Sequence, residues 1–306
     1  MLNVLQNSSG RMLSTLASLP SPGSGSLHIG PLQLRAYGLM IALGVLAAGW
    51  LAGRRAEQKG WGTKEQMNSV LIWSVVAGVI GARLYHVITD WSRYQHRLGD
   101  IPKAWQGGLG IPGGLMAGII VGILVAKRRG ISARRVATIA APALPLAQAI
   151  GRWGNYWNQE LFGRATTLPW ALEIDDAHLP GGYVPGTTFH PTFLYESLGN
   201  LLLCGLLLLI DRRWRPRTGW LLALYLMGYS ALRFFTESLR IDRANKFAGL
   251  RVNAWVSIVV FAGALVWLIW DARRPAPVEQ VSDLVSDGGA PGEAAGADSV
   301  DDTDES

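Results

Sequence analysis

A polar stretch directly follows an apolar run of the chain. Residues Val136 to Ile150 are mostly apolar, and the run Gly151-Arg152-Trp153-Gly154-Asn155-Tyr156-Trp157-Asn158-Gln159-Glu160-Leu161-Phe162-Gly163 comes next. If the apolar run lies in lipid, these polar groups lie at the membrane edge, where unpaired charge is costly and is usually retained for function. The stretch therefore predicts a polar site. A packing role for its glycines and a capping role for its asparagines remain open alternatives.

A second polar face lies near the end of another apolar run. On a helix, Tyr229, Arg233, Glu237 and Arg240 fall within about 80° of one another. An ion pair between Arg233 and Glu237 that closes a helix end is one interpretation. Two arginines against one glutamate leave a positive surplus, however, and an arginine inside a membrane helix costs about 2.5–3.5 kcal/mol on insertion scales. We therefore interpret the face as functional.

Arg152 and Arg233 belong to different apolar runs but are predicted to lie at similar depth. Two guanidinium groups that converge at one side of a membrane suit a phosphate group, because arginine binds phosphate oxygens in a bidentate manner. This convergence predicts a phosphate site shared by the two runs.

Other polar residues stand near the ends of further apolar runs. Tyr37 is either an interfacial anchor or a site residue, whereas Arg83 is harder to explain as an anchor unless its side chain reaches outward. His190 suits a capping or hydrogen-bonding role, and Glu196 needs a partner inside its run. The loop Arg164 to Phe189 is long for a membrane connection, and we expect it to cover the site.

The composition indicates a membrane protein. Of the 306 residues, 49% are hydrophobic and 16% are charged, whereas soluble domains carry roughly 25% charged residues. Seven segments approach the length of about 20 residues that a spanning helix needs. They are Leu34 to Ala52, Val70 to Val87, Gly108 to Ala126, Val136 to Ile150, Thr192 to Ile210, Gly219 to Glu237 and Val252 to Trp270. We predict an all-α integral membrane protein whose fourth helix is kinked at Pro142 and Pro145 and continues into the polar stretch.

Basic residues follow the first, third, fifth and seventh segments, which places these connections in the cytoplasm. The net charge of +6 is therefore explained by topology, and no nucleic-acid partner is expected. The N-terminus is predicted outside, the C-terminus in the cytoplasm and the site toward the outer leaflet. We divide the chain into a variable segment 1–29, a membrane domain 30–272 and a disordered acidic tail 273–306, with Met12 as a candidate start. The lone Cys204 predicts packing, with no disulfide and no cysteine-based metal site.

The polar stretch resembles the signature of the bacterial prolipoprotein diacylglyceryl transferases. That signature reads Gly-Arg-x-Gly-Asn-x-x-Asn-x-Glu-x-x-Gly, and all its fixed positions are present from Gly151 to Gly163. Other segments are similar to further conserved blocks of the family and occur in the same order along the chain. They are Arg35 to Gly38, Gly81 to Arg83, His190 to Glu196 and the face that begins with Tyr229. The resemblance covers residues 30–270.

The resemblance implies a seven-span enzyme of the bacterial cell membrane that uses no cofactor or metal. It would transfer the diacylglyceryl group of phosphatidylglycerol to the lipobox cysteine thiol of a preprolipoprotein signal peptide, forming a thioether and releasing glycerol phosphate. We assign the matching residues to two groups. The catalytic group is Arg152, Arg233, Asn155, Glu160 and Tyr229, and the substrate-binding group is Tyr37, Arg83, Gly163, Glu237, Arg240 and His190.

Two residues depart from the family pattern. Many members have histidine, a proposed base, where this chain has Pro112, and proline cannot accept a proton. Phe193 stands where the family often has glutamine. The base therefore stays open between a phosphate oxygen, a glutamate and the field of the arginines on the thiol.

We expect Arg152 and Arg233 to clamp the lipid phosphate while Glu160 and Glu237 hold the arginines in place. Two other functions remain open. A transporter or flippase for an anionic lipid or solute would also need polar groups in the inner half of the helices, where the sequence shows few, and a scaffold protein would use the arginines only for stability.

Overall fold

The computed structural model describes residues 18–23, 25–29, 32–104 and 107–275. Within them the chain forms seven helices of 18 residues or more. They are α1 (Ala36–Gln58), α2 (Lys64–Thr89), α3 (Ile111–Arg128), α4 (Ala133–Trp157), α5 (Thr192–Trp214), α6 (Trp220–Leu239) and α7 (Val252–Ala272). The candidate start Met12, most of the acidic tail (from residue 276) and Trp105 at the entry to α3 lie outside the described residues.

Three short antiparallel hairpins connect or precede these helices. They are β1 (Ser26–Ile29) with β2 (Leu32–Arg35), β3 (Leu172–Glu173) with β4 (Thr188–Phe189), and β5 (Lys246–Phe247) with β6 (Leu250–Arg251). Each hairpin has only two strands, so helix packing carries the fold.

Five of the seven helices are long and apolar enough to cross a membrane, namely α1, α2, α3, α5 and α7. Helices α4 and α6 are not among them, and these two carry Arg152 and Arg233. Many large apolar side chains of the described helices are exposed, including Trp50, Ile72, Leu202 and Val259, as lipid contact requires. The prediction of an all-α integral membrane protein is confirmed in part, because the described residues are mostly helical and five helices are of membrane-spanning character, with short hairpins besides. The count of seven spans and the orientation of the termini stay predictions.

Helix α4 packs against α1, α5 and α6, whereas α2 packs mainly against α3 and α7 against α6. The start of α1 lies beside the end of α4, because a Cβ on Gly154 would meet the Tyr37 ring at 2.7 Å. The starts of α1 and α5 and the ends of α4 and α6 thus share one end of the bundle, which we call the site end. Arg134 at the start of α4 marks the opposite, basic end.

Two groups of ion pairs lie at the basic end, centred on the buried carboxylates of Asp211 and Asp271. The sequence predicts few polar side chains in this half of the helices. Asp211 of α5 lies 3.1 Å from Arg55 Nη1 and 3.0 Å from Lys59 Nζ. Arg134 lies 2.9 Å from Asp271, which also accepts a hydrogen bond from Trp220 Nε1. In the sequence the basic residues of these ion pairs belong to separate connections between apolar segments. Their acidic partners are far away along the chain and are brought close only by helix packing.

Residues 18–23, which we call the N-terminal strap, pack on the site end although they fall in the segment predicted to be variable. Leu19 forms a parallel bridge with Leu172 of β3. Tyr156 Oη donates to the Pro20 carbonyl at 2.9 Å, and Ser21 Oγ donates to Gln159 Oε1 at 2.8 Å. The strap is therefore tied to the signature stretch and to the loop beyond it.

The long loop after the signature has a small apolar core of its own. Phe162, Leu172, Ile174 and Phe189 are buried together with Phe193 of α5. Phe193, which departs from the family pattern, packs its ring against Tyr156 with centroids 4.9 Å apart. The loop thus has a packed apolar core at the site end that includes Phe193 of α5, and its role as a cover over the site stays a prediction.

Candidate active site

The signature begins as helix and ends in a strained turn. Helix α4 continues through Trp157, and Asn158 closes it. Gln159 and Leu161 then take left-handed backbone conformations, with φ of 49° and 61°. This conformation costs a residue other than glycine roughly 1–2 kcal/mol and persists where its surroundings enforce it. The turn between them presents Glu160.

Glu160 holds this turn and, within the described part of the chain, makes no ion pair with an arginine, contrary to the prediction. Its Oε1 accepts hydrogen bonds from Asn155 Nδ2 at 2.9 Å and from Asn158 Nδ2 at 3.1 Å. The three polar signature positions therefore form one local unit. Asn155 is buried and Glu160 is exposed, so the unit connects the helix interior with the surface.

The signature glycines differ in their surroundings. A Cβ on Gly163 would meet His190 Cβ at 2.8 Å and the Leu239 carbonyl at 3.2 Å, so the chain passes closely between the start of α5 and the end of α6. A Cβ on Gly151 would meet nothing within 4 Å. Close packing therefore explains Gly154 and Gly163, whereas Gly151 faces open space beside Arg152.

Arg152 and Arg233 converge on one carboxylate, that of Glu196. Arg152 Nε lies 2.6 Å from Glu196 Oε2, and Arg233 Nη1 lies 3.2 Å from Glu196 Oε1. The carboxylate is nearly fully buried. The predicted convergence of the two arginines is thus confirmed, and the partner that Glu196 needed is identified.

Tyr229 completes the contacts of Arg152. Arg152 Nη2 donates to Tyr229 Oη over 3.4 Å, a long hydrogen bond. Among the described residues, Nη1 of Arg152 has no hydrogen-bond partner. Arg233 Nη2, in contrast, lies 2.8 Å from Glu237 Oε2, so both terminal nitrogens of Arg233 contact carboxylates. Of the two arginines on Glu196, Arg152 is therefore the one whose terminal nitrogens retain donor capacity for a ligand.

The ion pairs continue past Glu237 to a residue that the sequence analysis missed. Arg251, in β6, lies 2.6 Å from Glu237 Oε1 and 2.8 Å from Asp242 Oδ2. Asp242 also lies 2.7 Å from Arg240 Nε. Burial would raise the pKa of Asp242, but Arg240 and Arg251 outweigh burial and lower it below its usual value. Little in the sequence indicated Arg251, because no helical spacing links it to Glu237. The connection 240–251 also carries three other basic residues, Arg240, Arg243 and Lys246.

These residues form a continuous series that we call the charge chain. Its members are Arg152, Glu196, Arg233, Glu237, Arg251, Asp242 and Arg240. Four guanidinium groups against three carboxylates leave one net positive charge. Because Glu196 and Glu237 are almost fully buried, a surplus charge there is poorly solvated and attracts an anion. A single negative charge at Arg152 would balance the chain.

Arg83 and His190, both assigned to substrate binding, contact other parts of the protein. Arg83 donates hydrogen bonds to the carbonyls of Asp100, Ile101, Gly107 and Gly108 at 2.6–3.0 Å, so it fixes the loop before α3. His190 Nδ1 lies 3.1 Å from Tyr195 Oη, which confirms its hydrogen-bonding role. Burial, with Arg164 nearby, lowers the pKa of His190. Among the described residues no cluster of metal-ligating side chains is present.

Comparison with known proteins agrees with this geometry. The family model described as prolipoprotein diacylglyceryl transferase matches residues 25–270. The chain belongs to this family. The match begins at Gly25, just after the strap, and contains every member of the charge chain.

Several curated relatives of this diacylglyceryl transferase family member match most of the chain. A protein of Streptomyces coelicolor named phosphatidylglycerol–prolipoprotein diacylglyceryl transferase 2 is 47% identical over 272 residues, which cover 88% of this chain and 86% of the relative. A protein of Cutibacterium acnes named as such a transferase is 46% identical, with 84% and 88% covered. One of Mycobacteroides abscessus is 41% identical, with 92% and 85% covered.

In this transferase family member, Pro112 has a structural position that explains its presence. Gly110 precedes α3, Ile111 is the first helical residue and Pro112 the second. Proline suits the first turn of a helix because the N–H it lacks would have no partner there. The position thus starts the helix and offers no proton acceptor, as the sequence indicated.

Proposed function

We propose that the protein transfers the diacylglyceryl group of phosphatidylglycerol to the thiol of the lipobox cysteine in a prolipoprotein. The observation that carries this proposal is the charge chain, which holds Arg152 and Arg233 on the shared carboxylate of Glu196 and has one surplus positive charge. A phosphodiester carries one negative charge, so a bound phosphatidylglycerol would neutralise the chain. Membership in the family and the names of the relatives support the same reaction.

The reaction replaces a carbon–oxygen bond with a carbon–sulfur bond. The sulfur attacks the glycerol carbon that bears the phosphate oxygen, and the electron pair of the broken bond leaves with that oxygen. The thiol proton passes to a phosphate oxygen or a glutamate carboxylate or is released to water, and glycerol phosphate leaves as the second product. Negative charge builds up on the phosphate oxygens during this step, so donors placed there before the reaction lower the barrier.

Arg152 fits the role of direct phosphate ligand because its Nη1 has no partner among the described residues and its Nη2 reaches only Tyr229. Arg233 contributes charge and fixes Glu196, with Arg240 further along the same chain of ion pairs. Tyr229 could donate its hydroxyl hydrogen to the phosphate while it accepts from Arg152. The Asn155–Glu160 unit fixes the turn after the arginine. Arg83 would act through the loop before α3, and His190 through its contacts beside Gly163.

Purified protein incubated with phosphatidylglycerol and a lipobox peptide containing cysteine tests the reaction. We expect mass spectrometry to show the peptide gaining a diacylglyceryl group. Arg152→Ala should lower turnover by about 10²–10³-fold, the loss typical of one preorganised donor at a developing anion. Arg128→Ala is the matched control, because Arg128 is exposed at the basic end. Near wild-type turnover by the Arg152 variant would contradict the phosphate role.

We also propose seven membrane spans with the site end at the outer leaflet of the bacterial cell membrane, and the basic end in the cytoplasm. The positive-inside rule supports this orientation, because basic residues crowd the end with Arg55 and Arg134. In a Cys204→Ala background, a membrane-impermeant maleimide should label Gly181→Cys on intact cells and leave Arg128→Cys unlabelled. The reverse labelling would overturn the orientation.

A further inference from the structure

A polar cavity of about 320 Å³ lies at the site end, beyond the last turn of α4. It is lined by Pro22 and Gly23 of the strap, by Gly25 and Ser26 after it, and by the end of the signature stretch, Trp157 to Gln159. The remaining walls come from Arg35 at the end of β2 and from the loop after β3, which contributes Asp175 and His178. The charge chain does not include any of these residues.

Two opposite charges face this cavity without pairing. Among the described residues Arg35 makes no ion pair, although Asp175 lines the same cavity. Asp175 is held by Gln159 Nε2 at 2.6 Å, and its backbone N–H donates to Gln159 Oε1 at 2.8 Å. The polar side chains of Ser21 and Gln159 next to its carboxyl lower the pKa of Asp175, so the carboxyl is ionised at neutral pH. The cavity therefore offers an anion and a cation to one ligand.

The strap beside the cavity is held through its backbone. Leu19 of the strap exchanges hydrogen bonds with Ala171 and Glu173 at 2.7 and 2.9 Å. The carbonyl of Pro22, which lines the cavity, accepts from Gln159 Nε2 at 3.3 Å. A segment of polypeptide thus already packs along the cavity, held by a signature side chain and by backbone next to β3.

The distance from Arg152 indicates which part of a substrate would reach the cavity. From Arg152 to Asn158, at the cavity wall, six helical residues rise about 9 Å. An extended chain advances about 3.3 Å per residue, so about three residues span this distance. A polypeptide whose cysteine reacts beside Arg152 would place its following residues at the cavity.

We propose that this cavity binds the polar segment that follows the lipobox cysteine, two to four positions after it, in an extended conformation. The proposal rests on the proposed transferase function. The glycerol headgroup of the lipid is a weaker occupant, because its hydroxyl groups can hydrogen-bond to Arg35 and Asp175 but neutralise neither charge. A peptide segment with a charged side chain uses one of them.

The proposal is tested with three peptides that have the same sequence up to and including the cysteine. They carry lysine, aspartate or glutamine two to four positions after the cysteine. Asp175→Asn should raise KM for the lysine peptide, and Arg35→Gln should raise KM for the aspartate peptide. The expected change is about two- to fivefold, as for an exposed ion pair of about 0.4–1 kcal/mol. KM for the glutamine peptide and for phosphatidylglycerol should stay unchanged in both variants, and Arg128→Gln is the control.

If KM for the lysine peptide in Asp175→Asn and KM for the aspartate peptide in Arg35→Gln both stay at their wild-type values, the peptide site is overturned. A change in KM for phosphatidylglycerol alone would assign the cavity to the lipid and would also overturn it. Both outcomes require turnover by the wild-type protein, so they are distinct from failure of the transferase proposal, in which no peptide is modified at all.

Discussion

Arg55 replaces a hydrogen bond that Pro142 removes from α4. Proline has no N–H, so the carbonyl four residues earlier, that of Thr138, loses its helical partner. Arg55 Nη2 donates to this carbonyl at 3.0 Å, and Nε donates to the Ile139 carbonyl at 3.2 Å. Its Nη1 lies 3.1 Å from Asp211. One buried arginine of α1 thus links the proline region of α4 to α5.

Replacing Arg55 with methionine should lower the free energy of unfolding by about 3–5 kcal/mol, the range for breaking a buried ion pair. About 1–3 kcal/mol of this loss belongs to the carbonyl left buried without a donor, because Thr138 is only 1% exposed. Asp211 keeps Lys59 as a partner after the substitution, so the broken Arg55–Asp211 pair should cost less than a pair with no second cation. The total loss should therefore lie toward the lower end of the range of about 3–5 kcal/mol.

A Pro142→Ala background separates the two contributions. The alanine of this background supplies the missing N–H to the Thr138 carbonyl, so Arg55→Met should cost about 1–3 kcal/mol less there than in the wild type. The assay is equilibrium unfolding of the four proteins in mixed micelles with increasing denaturing detergent, followed by tryptophan fluorescence. Arg54→Met, at an exposed neighbour, is the control. Costs that agree within about 0.5 kcal/mol in both backgrounds would refute the link to Pro142.

Three further predictions concern the site end. Glu196→Gln should lower kcat by about 10²-fold without raising KM for phosphatidylglycerol, because the arginines lose their shared anchor while the charge chain gains positive charge; unchanged kcat would contradict this. Gly154→Ala should destabilise the fold by about 1–3 kcal/mol, since its Cβ would lie 2.7 Å from the Tyr37 ring. Gly151→Ala, with nothing within 4 Å, should not destabilise it, and thermal unfolding of both variants checks the contrast. His190 has a lowered pKa, so its neutral form stabilises the fold above its ordinary value of about 6.5, and this contribution is lost as pH falls through the lowered pKa. Wild-type Tm should therefore fall more from pH 7 to pH 5 than that of His190→Gln, and parallel curves would exclude the effect.

The sequence predicted those parts of the site that lie on single helices. The spacing of Arg233 and Glu237 predicted their ion pair, which the structure confirms at 2.8 Å. The similar depth of Arg152 and Arg233 followed from their places in two apolar runs. The first inference needed only the periodicity of a helix. The second needed only the assumption that both helices cross the same membrane, so that positions along them can be compared by depth.

Contacts between separate elements were beyond such reasoning. Glu160 was expected to hold an arginine, but two left-handed residues turn the chain there and bring Asn155 and Asn158 to it. Arg251 lies in a two-residue strand after α6, where no helical pattern extends from Glu237. The strap has too little apolar periodicity to predict order, since backbone hydrogen bonds to the β3 loop supply its contacts.

The groups that accept each guanidinium N–H distinguish Arg152 from two other arginines of the bundle, Arg55 and Arg83. Arg83 donates to four backbone carbonyls, and Arg55 donates to two carbonyls and pairs with Asp211. Both are saturated by groups that a phosphate cannot displace without unfolding a loop or a helix. Arg152 contacts only side chains, through Nε to Glu196 and Nη2 to Tyr229, and the 3.4 Å length of the second contact marks it as the weakest. A phosphate that replaces it keeps the Glu196 anchor intact. Donor saturation therefore singles out Arg152 as the one arginine of these three that can bind a ligand without cost to the fold.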